Sequence, residues 1–97
     1  MNKFKLEEKN IVKLIHSMNT KKIVFIDRKK NKDYKKNYKN IIYKLDMSNY
    51  KYSSYDINPK FKGEKVHIFG LGNLYIKVKI IKNKCKVLSL HVAEYEL

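Results

Sequence analysis

Cysteine is almost absent from the chain: Cys85 is the only one among 97 residues. A single cysteine cannot form an internal disulfide or a cysteine-rich zinc site, so we treat Cys85 as structural and expect a reducing, cytoplasmic environment. Long apolar runs are absent too, which predicts that no segment crosses a membrane. Leu6-Glu7-Glu8 stands where a signal peptide would be apolar, so we expect no secretion signal and a single domain over residues 1–97.

Acidic residues are scarce, with 9 Asp and Glu against 23 Lys and Arg, and the net charge is +14. So basic a small domain favours a polyanionic partner such as nucleic acid, an anionic membrane surface or an acidic protein. Composition offers a second explanation, because Arg28 is the only arginine and the excess of Lys, Asn, Ile and Tyr is typical of an A+T-rich genome. Both explanations stay open, although the field of this charge would attract RNA in either case.

The first half of the chain has the periodicity of two helices and one strand. Apolar residues recur on one helical face at about residues 5–18, and again at residues 34–45, where the outer face is strongly basic. Between them, the β-branched and aromatic segment 22–26 predicts a buried strand. Segment 46–65 is polar and contains the single proline, which predicts a loop, with a short edge strand as an alternative.

The last third of the sequence predicts a meander of three antiparallel strands at residues 65–70, 74–81 and 85–92. The whole chain is therefore expected to be α+β, with two N-terminal helices packed on a mainly antiparallel sheet. Three-residue turns at 71–73 and 82–84 would place the even-numbered apolar residues of all three strands in the core. Tyr75 would then lie across from His91, and Lys77 across from Ser89, on the open face. A two-residue turn would reverse this parity and bury Ser89 and His91.

The open face of this meander carries side chains suited to RNA chemistry. Metal-free RNA cleavage requires a base for the 2′-hydroxyl, cations for the phosphorane and an acid for the leaving 5′-oxygen. Histidine, tyrosine and lysine can supply all three. An ordinary solvated strand face has the same pattern, so the residues alone leave both interpretations open. The side chains concerned are His67, Tyr75, Lys77, Lys79, Ser89 and His91.

Three motifs follow one another toward the end of the chain. They are Ile68-Phe69-Gly70, then Tyr75-Ile76-Lys77-Val78-Lys79-Ile80, then Ser89-Leu90-His91-Val92-Ala93-Glu94 with a short apolar end, and Leu45-Asp46 precedes Tyr50 upstream. In order and spacing these motifs resemble the MqsR-type toxin family, the ribonuclease half of a bacterial type II toxin–antitoxin pair. The resemblance covers about residues 44–97.

The resemblance implies a RelE-like small bacterial ribonuclease fold, cleavage of single-stranded mRNA without a metal or other cofactor, and neutralisation by a cognate antitoxin protein. By position it assigns catalytic roles to Tyr75, Lys77 and His91. His67 stands where the family usually has tryptophan, and Tyr52 where it usually has a basic residue. We expect RNA contacts from Lys51, Tyr52, His67, Lys79 and Ser89. The alternative is a non-catalytic basic module that binds RNA or protein through the same face.

Overall fold

The computed structural model describes residues 10–93, and within them five strands form one mixed sheet. The strands are β1 (Ile23–Phe25), β2 (Tyr50–Tyr55), β3 (Lys65–Leu71), β4 (Leu74–Ile81) and β5 (Lys84–Val92). Their order across the sheet is β1-β5-β4-β3-β2. β1 runs parallel to β5, and the other neighbouring strands are antiparallel. The predicted α+β class and the C-terminal meander are confirmed.

Two short helices, α1 (Ile11–Ser17) and α2 (Tyr38–Lys44), contribute to the core on one side of the sheet. α1 buries Ile11 and Ile15, as the apolar spacing predicts, and also Val12, whereas Leu14 of the predicted face is 39% exposed. Residues 5–9 of the first predicted helix lie outside the described residues. The second predicted helix is shorter than expected, because residues 35–37 form a turn that follows a 3₁₀ turn at Lys29–Tyr34. No helix within residues 10–93 is long and apolar enough to span a membrane.

The two faces of the sheet differ in the size of the apolar cluster that each one holds. The face toward the helices holds the main core, to which Phe69, Ile76, Val78, Val87 and Leu90 contribute, each fully buried. The other face, here called the open face, has a second and smaller apolar cluster formed by Val66, Ile68 and Leu88. Because this small cluster is still buried, the open face has an apolar floor beneath its charged side chains.

The β3–β4 turn differs from the prediction. Leu71 pairs with Leu74, so the turn has two residues, with Gly72 in the left-handed region at φ 59°. Glycine adopts this conformation readily, which permits the tight turn. The shorter turn reverses the parity of β3, so His67 lies opposite Val78 and faces the core. The expectation that His67 shares the open face with Tyr75 is therefore wrong.

The β4–β5 hairpin also has a two-residue turn, at Lys82 and Asn83, with positive φ angles of 51° and 62°. That turn alone would reverse the parity of β5. A β-bulge restores the parity. Val78 pairs with Val87, whereas Lys77 pairs with Ser89, which is two residues further along β5. Leu88 is the extra residue. Tyr75 is therefore opposite His91, and Lys77 opposite Ser89, as predicted, although the predicted turn length is wrong.

Segment 46–65 is more ordered than a loop. Tyr50–Tyr55 forms a six-residue edge strand, with an irregularity between Tyr50 and Tyr52. Tyrosine fits a pleated, half-buried surface, which accounts for a strand in so polar a segment. The chain then turns through Pro59–Phe61, a 3₁₀ turn that stands beside the open face. The weaker alternative of an edge strand is thus the better description.

Candidate nucleic-acid interface on the open face

A groove of about 510 Å³ lies on the open face. Its floor is the apolar cluster of Val66, Ile68 and Leu88. Strand side chains Tyr52, Tyr75 and Lys77 stand along it, and Arg28 reaches it from the segment after β1. The segment from Tyr55 to Phe61 forms its wall. The volume is in the range of about 300–1,000 Å³ usual for sites that hold one small ligand.

Tyr75, Lys77, Ser89 and His91 lie together on β4 and β5. The Tyr75 and His91 rings are directly paired across the strands, with centroids 5.4 Å apart and planes tilted by 31°. Lys77 is paired with Ser89, which is only 7% exposed. The structure therefore brings together the three predicted catalytic residues and one of the predicted RNA contacts, on two adjacent strands.

A hydrogen bond defines which nitrogen of His91 is free. The Nδ1 atom of His91 lies 2.9 Å from the carbonyl oxygen of Val92. A carbonyl oxygen can only accept, so Nδ1 carries the proton and donates it. In the neutral imidazole, Nε2 is then the unprotonated nitrogen that can accept a proton. This is the form that a general base requires.

The cations of the groove repel one another. Burial lowers the pKa of Lys77, and the positive charge of Arg28 lowers it further, with Asp56 acting in the opposite direction. Both cations line the same groove. An anion bound between them would relieve this repulsion, so phosphate is a suitable ligand for the pair on electrostatic grounds.

The phenol of Tyr75 stays protonated at neutral pH. Burial raises its pKa above the ordinary value of 10.0, and the neighbouring Tyr52 adds to the increase. The hydroxyl can therefore donate a hydrogen bond over the whole neutral range. The Tyr75 ring lies beside the His91 imidazole at one end of the open face.

Lys79 is not available to a ligand in the way predicted. Its side chain is 4% exposed, and its Nζ atom lies 2.6 Å from Asp56 Oδ2 and 2.9 Å from Glu64 Oε1. The same ammonium lies 4.3 Å from the centre of the Phe61 ring. Burial alone would lower the pKa of Lys79, but the hydrogen bonds to the two carboxylates outweigh burial and raise it. Lys79 therefore ties the groove wall to the sheet.

Two other predicted RNA contacts lie outside the groove. His67 is 7% exposed on the core face, and its Nδ1 atom is 3.1 Å from the hydroxyl of the buried Tyr50. Lys51 is exposed at the irregularity of β2 but does not line the groove. Tyr52, by contrast, is a groove residue and is 53% exposed. The parity of β3, which the sequence does not determine, separates His67 from the other candidates.

Asn31 and Arg28 are functional candidates that the sequence analysis did not single out. The side chain of Asn31 is 1% exposed, and its Nδ2 atom donates to the carbonyls of Ile26 (3.0 Å) and Leu88 (3.1 Å). Its Oδ1 atom accepts from the N–H of Leu90 at 3.0 Å. The side-chain amide thus makes the hydrogen bonds to β5 that a neighbouring strand would otherwise make at the bulge. The backbone N–H of Asn31 donates to the backbone carbonyl of Arg28 at 2.9 Å, which fixes the backbone between these two residues.

A polar residue in a basic run gave no signal that could identify Asn31, since its role depends on a contact with a strand 57 residues away. Arg28 stands out in the sequence as the only arginine of the chain, but its pattern assigns it no role in a site. Within residues 10–93, no group of three or more His, Cys, Asp and Glu side chains could hold a metal ion. Comparison with protein-family models, curated proteins and solved structures finds no match to this chain.

Proposed function

We propose that the chain is a metal-independent endoribonuclease that cleaves single-stranded mRNA, acting as the toxin of a bacterial type II toxin–antitoxin system in the cytoplasm. The observation that carries the proposal is the cross-strand arrangement of Tyr75 with His91 and Lys77 with Ser89 beside a cationic groove. The resemblance to MqsR-type toxins and their RelE-like fold supports the same function. The net charge of +14 supports a polyanionic substrate.

In this proposal a named side chain acts at each step of cleavage. His91 Nε2 takes the proton of the 2′-hydroxyl, and the 2′-oxygen attacks the adjacent phosphorus. Lys77 and Arg28 stabilise the negative charge of the phosphorane. The bond from phosphorus to the 5′-oxygen then breaks, and Tyr75 donates its proton to the leaving oxygen. The products are a 2′,3′-cyclic phosphate and a free 5′-hydroxyl. Return of the proton from His91 to Tyr75, directly or through water, restores both side chains, so atoms and charge balance without a metal or other cofactor.

The direct test is incubation of the purified chain with a long single-stranded RNA in EDTA. We expect discrete fragments with 2′,3′-cyclic phosphate ends, and a rate reduced about 10²–10⁴-fold in His91→Ala. His16→Ala is the matched control, because His16 is an exposed histidine on α1. Lys77→Ala should reduce the rate about 10²–10³-fold through loss of charge stabilisation. Equal cleavage by wild type and His91→Ala would refute the assignment.

The second candidate function is a non-catalytic basic module that binds RNA or protein. It is favoured by Lys79, a predicted phosphate contact that instead holds the groove wall. In this case the wild type would bind RNA without cleaving it, and Lys77→Ala would weaken binding. Intact RNA from wild type, with binding retained and no ribosome-dependent cleavage, would select this function.

A cognate antitoxin is the expected protein partner. A basic face would suit an acidic antitoxin segment, since complementary charge speeds association and fixes orientation. The proposal predicts that the chain co-purifies with the product of an adjacent gene and that this product blocks cleavage. Failure of adjacent gene products to bind the purified chain would count against the toxin–antitoxin assignment.

A further inference from the structure

The lining of the groove on the open face is of two chemical kinds. Arg28 and Lys77 supply positive charge, whereas the floor of Val66, Ile68 and Leu88 is apolar. A site for phosphate alone has no need of an apolar floor. A ligand that fits both kinds of lining carries an anionic group attached to a flat apolar one.

Exposed apolar side chains surround the same groove. Tyr52 is 53% exposed, Ile57 98% and Phe61 36%, and all three line the groove. Such exposure of large apolar groups is unfavourable in water and commonly marks a binding surface. Aromatic rings beside lysine or arginine are the usual means of holding an unstacked base.

The wall that carries Ile57 and Phe61 is held in place by specific contacts. Lys79 pairs with Asp56 and Glu64 at either end of the segment, and the Asp56 N–H donates to the Glu64 carbonyl at 2.8 Å. Asn58 caps the 3₁₀ turn by accepting from the Lys60 N–H at 3.0 Å. Ile57 is therefore exposed on a segment whose conformation is held by ion pairs and hydrogen bonds. A preordered apolar rim loses little entropy on binding.

We propose that this groove is a nucleotide subsite that takes one unstacked base over the Val66–Ile68–Leu88 floor, against Tyr52, with its phosphate at Arg28 and Lys77. The inference rests on the proposed function in that the nucleotide belongs to the single-stranded RNA to be cleaved. The volume of about 510 Å³ suits one such unit. That phosphate is the one to be cleaved, because Lys77 and Arg28 are the cations proposed to stabilise the phosphorane and Tyr75 lines the same groove.

The test compares two uncleavable ligands by fluorescence anisotropy: a short 2′-O-methyl oligonucleotide, and its base-free analogue with the same number of phosphates. The wild type should bind the base-bearing strand roughly tenfold or more tightly. Tyr52→Ala and Ile57→Ser should reduce that preference, and Tyr52→Phe should keep it. Both positions are exposed, so the variants are expected to fold, which circular dichroism checks.

Charge is tested separately with Lys77→Ala. This variant should weaken the binding of both ligands equally. It should also reduce the slope of log binding constant against log salt concentration by about 0.7, the amount for one single-strand phosphate contact. Lys36→Ala, which removes one exposed charge outside the groove, is the matched control. A specific site predicts a larger loss for Lys77→Ala than for Lys36→Ala; equal losses would overturn the phosphate position.

The two proposals fail in distinguishable ways. Equal binding of the base-bearing and base-free strands by the wild type would overturn the subsite, even if the chain cleaves RNA. A preference for the base-bearing strand that survives Tyr52→Ala would also overturn it. A preference lost in Tyr52→Ala, in a chain that cuts no RNA, would support the subsite and refute the ribonuclease.

Discussion

Replacing Asn31 with alanine should lower the free energy of unfolding by about 2–6 kcal/mol. The variant removes the partners of the Leu88 carbonyl and the Leu90 N–H, and both bonds are buried. A buried polar group left without a partner costs about 1–3 kcal/mol, which gives the stated range for two. The Ile26 carbonyl is only partly buried, so water can replace its third bond.

Equilibrium urea unfolding followed by circular dichroism measures this loss. Asn40→Ala is the control, because Asn40 is exposed on α2 and its replacement should change stability by less than about 0.5 kcal/mol. A loss below about 1 kcal/mol for Asn31→Ala would refute the role given to the amide. Since Asn31 holds the residues on either side of Ser89, the variant should also slow the RNA cleavage proposed above.

Asn31→Asp tests the direction of the same bonds. One carboxylate oxygen would replace Nδ2 and face two carbonyl oxygens, at the positions now 3.0 and 3.1 Å away. The protonated acid can donate there and the anion cannot, so the pKa of the new carboxyl should be raised in the folded state. The folded state then binds more protons, and stability relative to wild type should recover as pH falls. A difference that does not change with pH would contradict this argument.

Three smaller perturbations test the wall, the core and the turn. The hydrogen bond from Lys79 lowers the pKa of Asp56 below 3.8, so the unfolded state binds more protons than the folded state in acid. Stability should therefore fall as the pH drops below about 4. The midpoint of urea unfolding should fall less over this pH range in Asp56→Asn than in the wild type. Burial raises the pKa of Cys85 to about 12, so a thiol reagent at neutral pH should modify it only as the chain unfolds. Asn83→Val should cost about 1–2 kcal/mol because φ is 62° there, whereas Lys84→Val in the extended strand should be nearly neutral.

That Tyr75 and His91 share the open face was predictable from alternation. If Ile76 and Leu90 both enter the core, Tyr75 and His91 must point to the other face. The length of the turn between β4 and β5, which helps to set the direct pairs, was not predictable in the same way. A short turn with a bulge and a longer turn without one give the same pairs at the far end of the hairpin.

The side of the sheet on which His67 lies could not be read from the pattern. Both Ile68 and Phe69 are apolar, so either parity of β3 buries a large side chain. The turn at Gly72 decides between them, and the open face takes Ile68 as part of its apolar floor. Two apolar faces make alternation ambiguous, which is why the second small cluster was missed.

The bulge has a consequence for how related genes can differ. Deleting the codon for Leu88 would leave a regular ladder in which Val78 still pairs with Val87, and Lys77 still pairs with Ser89. One residue can therefore be lost or gained here without moving any of the proposed catalytic pairs. What changes is the groove floor, which contains Leu88, and the hydrogen bond that Asn31 donates to the Leu88 carbonyl. A gap of one residue at this point of an alignment would mark a changed groove, with the proposed catalytic pairs kept in place.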